Sequence, residues 1–141
     1  MATSTRKIFI DSSTFISFID RSDDNHPQSV KAFESLAKQR FQIFTSAQNI
    51  SEVYTVVSRE IGTSVALDFL QSILQSDIEI LFPQKADFIT INRMLKTNKE
   101  RQIPFRETLN ATLMQKRGIN QVLTLSYWHN LYGTHTANLL G

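Results

Sequence analysis

Four short apolar runs punctuate the chain: KIFI at residues 7–10, FQIFT at 41–45, IEILF at 78–82 and QVLTL at 121–125. Helix-period stretches fill the gaps between them, and no gap carries the Asn-Gly or Asp-Gly signal of a tight hairpin. Strands without hairpins are joined by long crossovers, so they pair in parallel and the crossovers are right-handed. Three of the four residues in the first run are large and apolar, as a strand covered on both faces requires. The expected class is α/β: three layers, α/β/α, around a central parallel sheet.

Helices are expected over residues 13–19, 27–39, 46–61, 63–75, 84–96 and 104–118. Pro27 and Pro104 suit the first turns of theirs, Ser46 suits an N-cap, and Gly62 suits a left-handed stop. There is no internal repeat, no low-complexity segment and no linker, so residues 1–141 read as a single domain. The absence of cysteine removes disulfides and thiolate zinc sites. No run approaches the roughly 18 apolar residues of a membrane span. The polar first seven residues do not resemble a signal peptide. A cytoplasmic protein without a membrane partner is therefore expected.

The net charge of +2 permits a polyanionic partner without requiring one. Its placement says more. Arg93, Lys96, Lys99, Arg101, Arg106, Lys116 and Arg117 cluster in one quarter of the chain, relieved only by Glu100 and Glu107. Such a stretch either follows a phosphate backbone or lines solvated helix faces.

Three acids occupy suggestive places, and each has an ordinary alternative. Asp11 ends the first strand, where open parallel sheets bind ligands, yet it could equally cap the next helix. Glu52 points nearly opposite the stripe of Ile50, Val53, Tyr54 and Val57, as a solvated glutamate would. Glu107 lies in the first turn of its helix, where the helix dipole favours an acid, and Asn110 follows one turn on.

Taken in order, the segments IFIDSSTFISFIDRSDDNH, FTSAQNISEVYTVV and PFRETLNATLMQKRGINQVLTLS resemble the PIN-domain family of metal-dependent ribonucleases. The resemblance spans residues 7 to about 133. Asp11-Ser12-Ser13 matches the family's strand-ending Asp, and Glu52 falls on its helix acid, six residues after Ser46. Glu107 stands where the family usually has Asp, one methylene longer. The fourth acid, in a T-x-D segment, is replaced: Thr124-Leu125-Ser126 ends in serine.

The resemblance implies an endoribonuclease that uses Mg²⁺ or Mn²⁺ held by Asp11, Glu52 and Glu107. Ser13 would orient Asp11, and Asn110 and Ser126 would add weaker, neutral oxygens. With the fourth carboxylate missing, one ion is expected rather than two. Lys99, Arg101 and Arg106 are candidates for RNA contact, as is Trp128, which follows the fourth strand and could stack on a base. Small members of the family resemble VapC-type toxins of toxin–antitoxin modules, which implies a homodimer and a protein antitoxin as partners. The competing reading is a catalytically degenerate PIN domain that binds RNA or protein without cutting, motivated by Ser126 and by the Asp-to-Glu change at 107.

Overall fold

In a computed structural model, which describes residues 6–126 and 135–136, the chain runs β1 (Lys7–Ile10), α1 (Ser12–Ile19), α2 (His26–Lys38), β2 (Gln42–Ser46), α3 (Ala47–Glu60), α4 (Thr63–Gln75), β3 (Glu79–Leu81), α5 (Lys85–Thr97), a 3-10 turn (Lys99–Arg101), α6 (Phe105–Lys116), β4 (Gln121–Leu123) and β5 (His135–Thr136). The strands form one sheet in the order β3-β2-β1-β4-β5, and every pairing is parallel. Phe9 stands opposite Phe44 on one side and Val122 on the other. β5 has no counterpart in the sequence reading. It is two polar residues long and lacks the apolar run that marked the other four.

The alternation of β1 side chains across the sheet builds the two cores. Ile8 and Ile10 face α1–α4 and pack with Phe15, Leu36, Val53, Val57 and Phe69. Phe9 faces the other way and joins Phe44, Val122, Ala111 and Met114, the last two from α6. The α/β/α layering expected from the sequence is the observed one. No described helix is long and apolar enough to cross a membrane.

Local chemistry accounts for the helix boundaries. Ser46 ends β2 in extended conformation, and its Oγ accepts from the Asn49 backbone N–H at 3.2 Å, the N-cap expected of it. Gly62 departs from expectation: at φ +149° and ψ 153° it is not left-handed helical but lies in an extended region essentially reserved for glycine. It closes α3 by donating to Val57 O at 2.9 Å while capping α4.

Asp87, in the first turn of α5, ties that helix to its surroundings. The Gln84 backbone N–H donates to its Oδ2 at 2.7 Å, and Lys116 Nζ, from α6, donates to its Oδ1 at 2.9 Å. Burial works to raise this carboxyl, but the Gln84 N–H and the Lys116 ammonium outweigh it and hold it below the usual aspartate range. A carboxyl lowered in the folded state adds stability that is present above its unfolded pKa, about 3.9, and is lost as the pH falls through the folded value. Asp87→Asn is therefore expected to cost about 1–2 kcal/mol at pH 7. In thermal melts the gap from the parent should narrow as the pH falls below about 4. A gap that does not change with pH would show that the charge contributes nothing.

The topology decides where a site can form. From β1 the chain moves outward through β2 to β3, then returns to place β4 on the opposite side of β1. The carboxyl ends of β1 and β4 therefore flank a crevice at the point where the order reverses, the usual ligand position in open α/β sheets. Asp11 follows β1 and Thr124 follows β4.

Candidate active site

Asp11 is 1% exposed and occupies the N-cap position of α1, yet its side chain makes no capping bond. The capping alternative thus gives way to a different use of the carboxylate. Thr124 Oγ1 donates to its Oδ2 at 2.7 Å and Ser13 Oγ donates to the same oxygen at 2.9 Å. Each hydroxyl is held in turn by a backbone N–H, Ser126 N on Thr124 Oγ1 and Leu125 N on Ser13 Oγ, both at 3.0 Å. A hydroxyl that accepts on one side has its hydrogen free to point at the carboxylate on the other. Oδ2 is thereby anchored, and Oδ1 faces the crevice.

Glu52 lies on the face of α3 opposite the apolar stripe, as its spacing requires, but with 35% of its side chain exposed it is not freely solvated. α1 and the start of α6 lie across it. Ser12 Oγ donates to Glu52 Oε2 at 2.7 Å, and Arg106 Nε approaches the same oxygen at 2.9 Å. Glu107, in the first turn of α6, pairs with Arg106 Nη2 through Oε1 at 2.8 Å. Arg106 Nη1 reaches Asp11 Oδ1 at 3.4 Å, together with Ser12 Oγ and Asn49 Oδ1 at 3.0 Å each. The three acids picked out from the sequence are therefore drawn around one guanidinium.

Arg106 was expected on a basic outer surface in contact with RNA; the fold instead aims it inward at the acids, with 28% of its side chain exposed. At the second position of α6 it sits above the carboxyl ends of β1 and β2, where only carboxylates and polar groups await it. Lys99 and Arg101 do lie on the surface, in the 3-10 turn before α6. Asn110 is fully buried behind the acids. Its Oδ1 accepts from Ser46 Oγ and Gln48 Nε2, both at 2.7 Å, and its Nδ2 donates to Asn49 Oδ1 at 3.0 Å. Those bonds turn its oxygen into the interior rather than toward Asp11. Ser13 contacts Asp11 as expected of an orienting hydroxyl, and Ser126 reaches the site through its backbone N–H. Trp128 lies outside the described residues.

Sequence reasoning passed over Asn49 and the Thr124 hydroxyl as parts of this site, and it set Ser12 beside Asp11, whereas the Ser12 hydroxyl donates to Glu52. Asn49 is fully buried, donates to Ile10 O at 3.2 Å and accepts from both Arg106 and Asn110, so it braces the guanidinium against the end of β1. The available signal was a polar residue three positions after the Ser46 cap, on the inward side of α3. Nothing in that spacing distinguishes a brace from an ordinary buried amide.

The donor chemistry suits a hard divalent cation, which prefers carboxylate oxygens and retains several waters. The spacing is that of a guanidinium. Among the described residues no three Asp, Glu or His side chains come together closely enough to form a metal-ion set on their own. Each acid nevertheless turns one oxygen to the Arg106 guanidinium, so the set is chemically suited to a cation and would draw closer to hold a metal ion once Arg106 withdraws.

Comparison with known proteins places the chain in a family. Residues 8–125 match the family described as PIN domain. The chain is 27% identical over 120 residues to Ribonuclease VapC1 of Aquifex aeolicus, covering 85% of this chain and 81% of that protein. Its fold resembles the crystal structure of Mycobacterium tuberculosis VapC20, titled a sarcin-ricin loop cleaving toxin, with a TM-score of 0.78 at 19% identity, over 90% of this chain and 95% of that one. It also resembles VapBC2 from Rickettsia felis, solved bound to a DNA fragment from its promoter, with a TM-score of 0.66 at 17% identity over 93% and 97% of the two chains.

Proposed function

The chain belongs to the PIN-domain family, and from that premise we propose that it is a metal-dependent endoribonuclease acting as the toxin of a toxin–antitoxin pair. One observation carries the reading: Asp11 after β1, Glu52 in the second turn of α3 and Glu107 in the first turn of α6 each turn an oxygen to the Arg106 guanidinium at the crevice between β1 and β4. Unrelated surface acids do not converge in this way, because their mutual repulsion is relieved only by a cation between them. Asp11, Glu52 and Glu107 would hold Mg²⁺ or Mn²⁺, and the chemistry the ion supplies when bound is Lewis-acid activation of water and neutralisation of charge on a phosphodiester.

The residues of this chain prepare that chemistry by fixing oxygens. Thr124 and Ser13 lock Asp11 so that Oδ1 is the oxygen presented, and Ser12 holds Glu52 from the α1 side. Such supporting bonds set ligand geometry, and removing one typically costs about 10–100-fold in metal affinity or activity. Lys99 and Arg101, exposed in the 3-10 turn before α6, would meet the RNA backbone. Ser126 contributes no charge, so a single ion balances the site better than two. By likeness to the VapC proteins, a protein antitoxin and a second copy of the chain are the partners proposed.

The test is cleavage of mixed single-stranded and structured RNAs by protein freed of partners. Cutting should require Mg²⁺ or Mn²⁺, cease with EDTA and return on adding excess metal. Manganese titration should reach one ion per chain. Folded protein that binds RNA but does not cut it under any of these conditions would establish the degenerate PIN domain instead.

A further inference from the structure

Arg106 uses all three of its nitrogens inside the acidic cluster. Nε lies 2.9 Å from Glu52 Oε2, Nη2 lies 2.8 Å from Glu107 Oε1, and Nη1 lies 3.4 Å from Asp11 Oδ1 while also donating to Ser12 and Asn49. The planar fork of a guanidinium suits such simultaneous bonding to several carboxylates. Without it, three acids around one crevice would carry three uncompensated negative charges. We infer that Arg106 is a built-in competitor of the divalent cation: guanidinium and metal draw on the same carboxylate oxygens, and the cation loads only as Arg106 leaves its seat. This rests on reading the three acids as the metal site.

The physical grounds are three. The contact to Asp11 takes Oδ1, the oxygen that Thr124 and Ser13 leave unanchored, while on Glu52 the guanidinium shares Oε2 with the Ser12 hydroxyl. A dication placed among those oxygens would also lie within a few ångströms of a positive guanidinium, which like-charge repulsion opposes. Finally, Arg106 has a way out. It stands in the first turn of α6, partly exposed on a long flexible stem, so rotation about its side-chain bonds withdraws the head without moving the helix. The acids are thus kept assembled in the metal-free protein, and apparent metal affinity is lowered by the fraction of time the seat is occupied.

The experiment compares Mn²⁺ binding, by calorimetry and by the electron paramagnetic resonance signal of free Mn²⁺, in the parent chain, Arg106→Gln and Arg106→Lys. All three are freed of nucleic acid and partners, and melts in EDTA establish that each is folded. A guanidinium seated nine-tenths of the time weakens apparent affinity about tenfold, so Arg106→Gln should bind Mn²⁺ at least about tenfold more tightly. Arg106→Lys, which keeps the charge but not the fork, should fall between. In the parent chain, the ¹⁵N–¹H signal of the Arg106 Nε–H should be protected in EDTA and pass to rapid solvent exchange as Mg²⁺ is added. That readout needs no variant and stands if Arg106→Gln does not fold. Parent and Arg106→Gln chains that bind Mn²⁺ equally, or a variant that binds more weakly, would overturn the competition while leaving the metal site standing. An Nε–H that stays protected at saturating Mg²⁺ would do the same. Failure of both parent and variant to bind Mn²⁺ would remove the metal site and this inference together.

Discussion

Asp11→Asn is expected to reduce metal-dependent RNA cleavage by more than about 100-fold, above the usual cost of losing a residue that only supports a ligand, while leaving the chain folded. The asymmetry between activity and stability follows from how the side chain is held. Asp11 is almost wholly buried, and its Oδ2 is bonded to two hydroxyls, Thr124 and Ser13. A hydroxyl can accept as well as donate, so both can turn to receive from an asparagine amide in the same place. The substitution also removes one negative charge from a crowded site, which partly offsets the lost contact to Arg106. It nevertheless removes the anionic oxygen that a hard cation needs. Initial cleavage rates set beside thermal melts in EDTA separate the two effects. A variant that still cuts at near the parent rate would return Asp11 to the role of a structural group at the start of α1.

The second large effect concerns the scaffold. Phe9→Ala should destabilise the protein by about 3–5 kcal/mol, the range for removing a large aromatic from a core. Phe9 is completely buried on the central strand and packs with Phe44, Val122 and Met114 beneath α6. Its neighbours in the sheet cannot slide inward to fill the space, because β1 is hydrogen-bonded to β2 on one side and β4 on the other. With total stabilities typically about 5–15 kcal/mol, a loss of this size takes much of the margin. Urea denaturation followed by circular dichroism measures it directly. A loss below about 1 kcal/mol would mean that the α6 face of the sheet repacks far more readily than a closely packed interior allows.

The two effects meet in α6. The helix covers Phe9 with Ala111 and Met114 and, at its other end, carries Arg106 and Glu107 into the crevice. Its residues Thr108–Met114 are buried without a break. A helix enclosed in this way is positioned by packing along its length, so its first turn is held at a defined height above the ends of β1 and β2. That placement lets one arginine reach acids from two other segments.

Much of this architecture was legible in the residues. The apolar runs at β1 to β4 stand where strands were expected, Ser46 caps α3, and the layering follows from the missing hairpins. Asp11 and Glu107 were singled out by the element ends on which they stand, Glu52 by its place opposite the apolar stripe of α3, and all three by their order along the chain. β5 was not legible, because two polar residues carry no period. The direction in which Arg106 points was not legible either. Side-chain periodicity is a local property, set by the 3.6-residue turn of a helix and the two-residue alternation of a strand. It therefore determined the elements, their buried faces and which acids stand clear of the core. Arg106 meets an aspartate 95 residues earlier in the chain, across an approach created only when α6 packs on the sheet and β4 crosses to the far side of β1. Charge count alone made it one more cation in a basic stretch. Only the tertiary structure made it the counter-ion of the site, since the fold brings three carboxylates to the one place its guanidinium can reach.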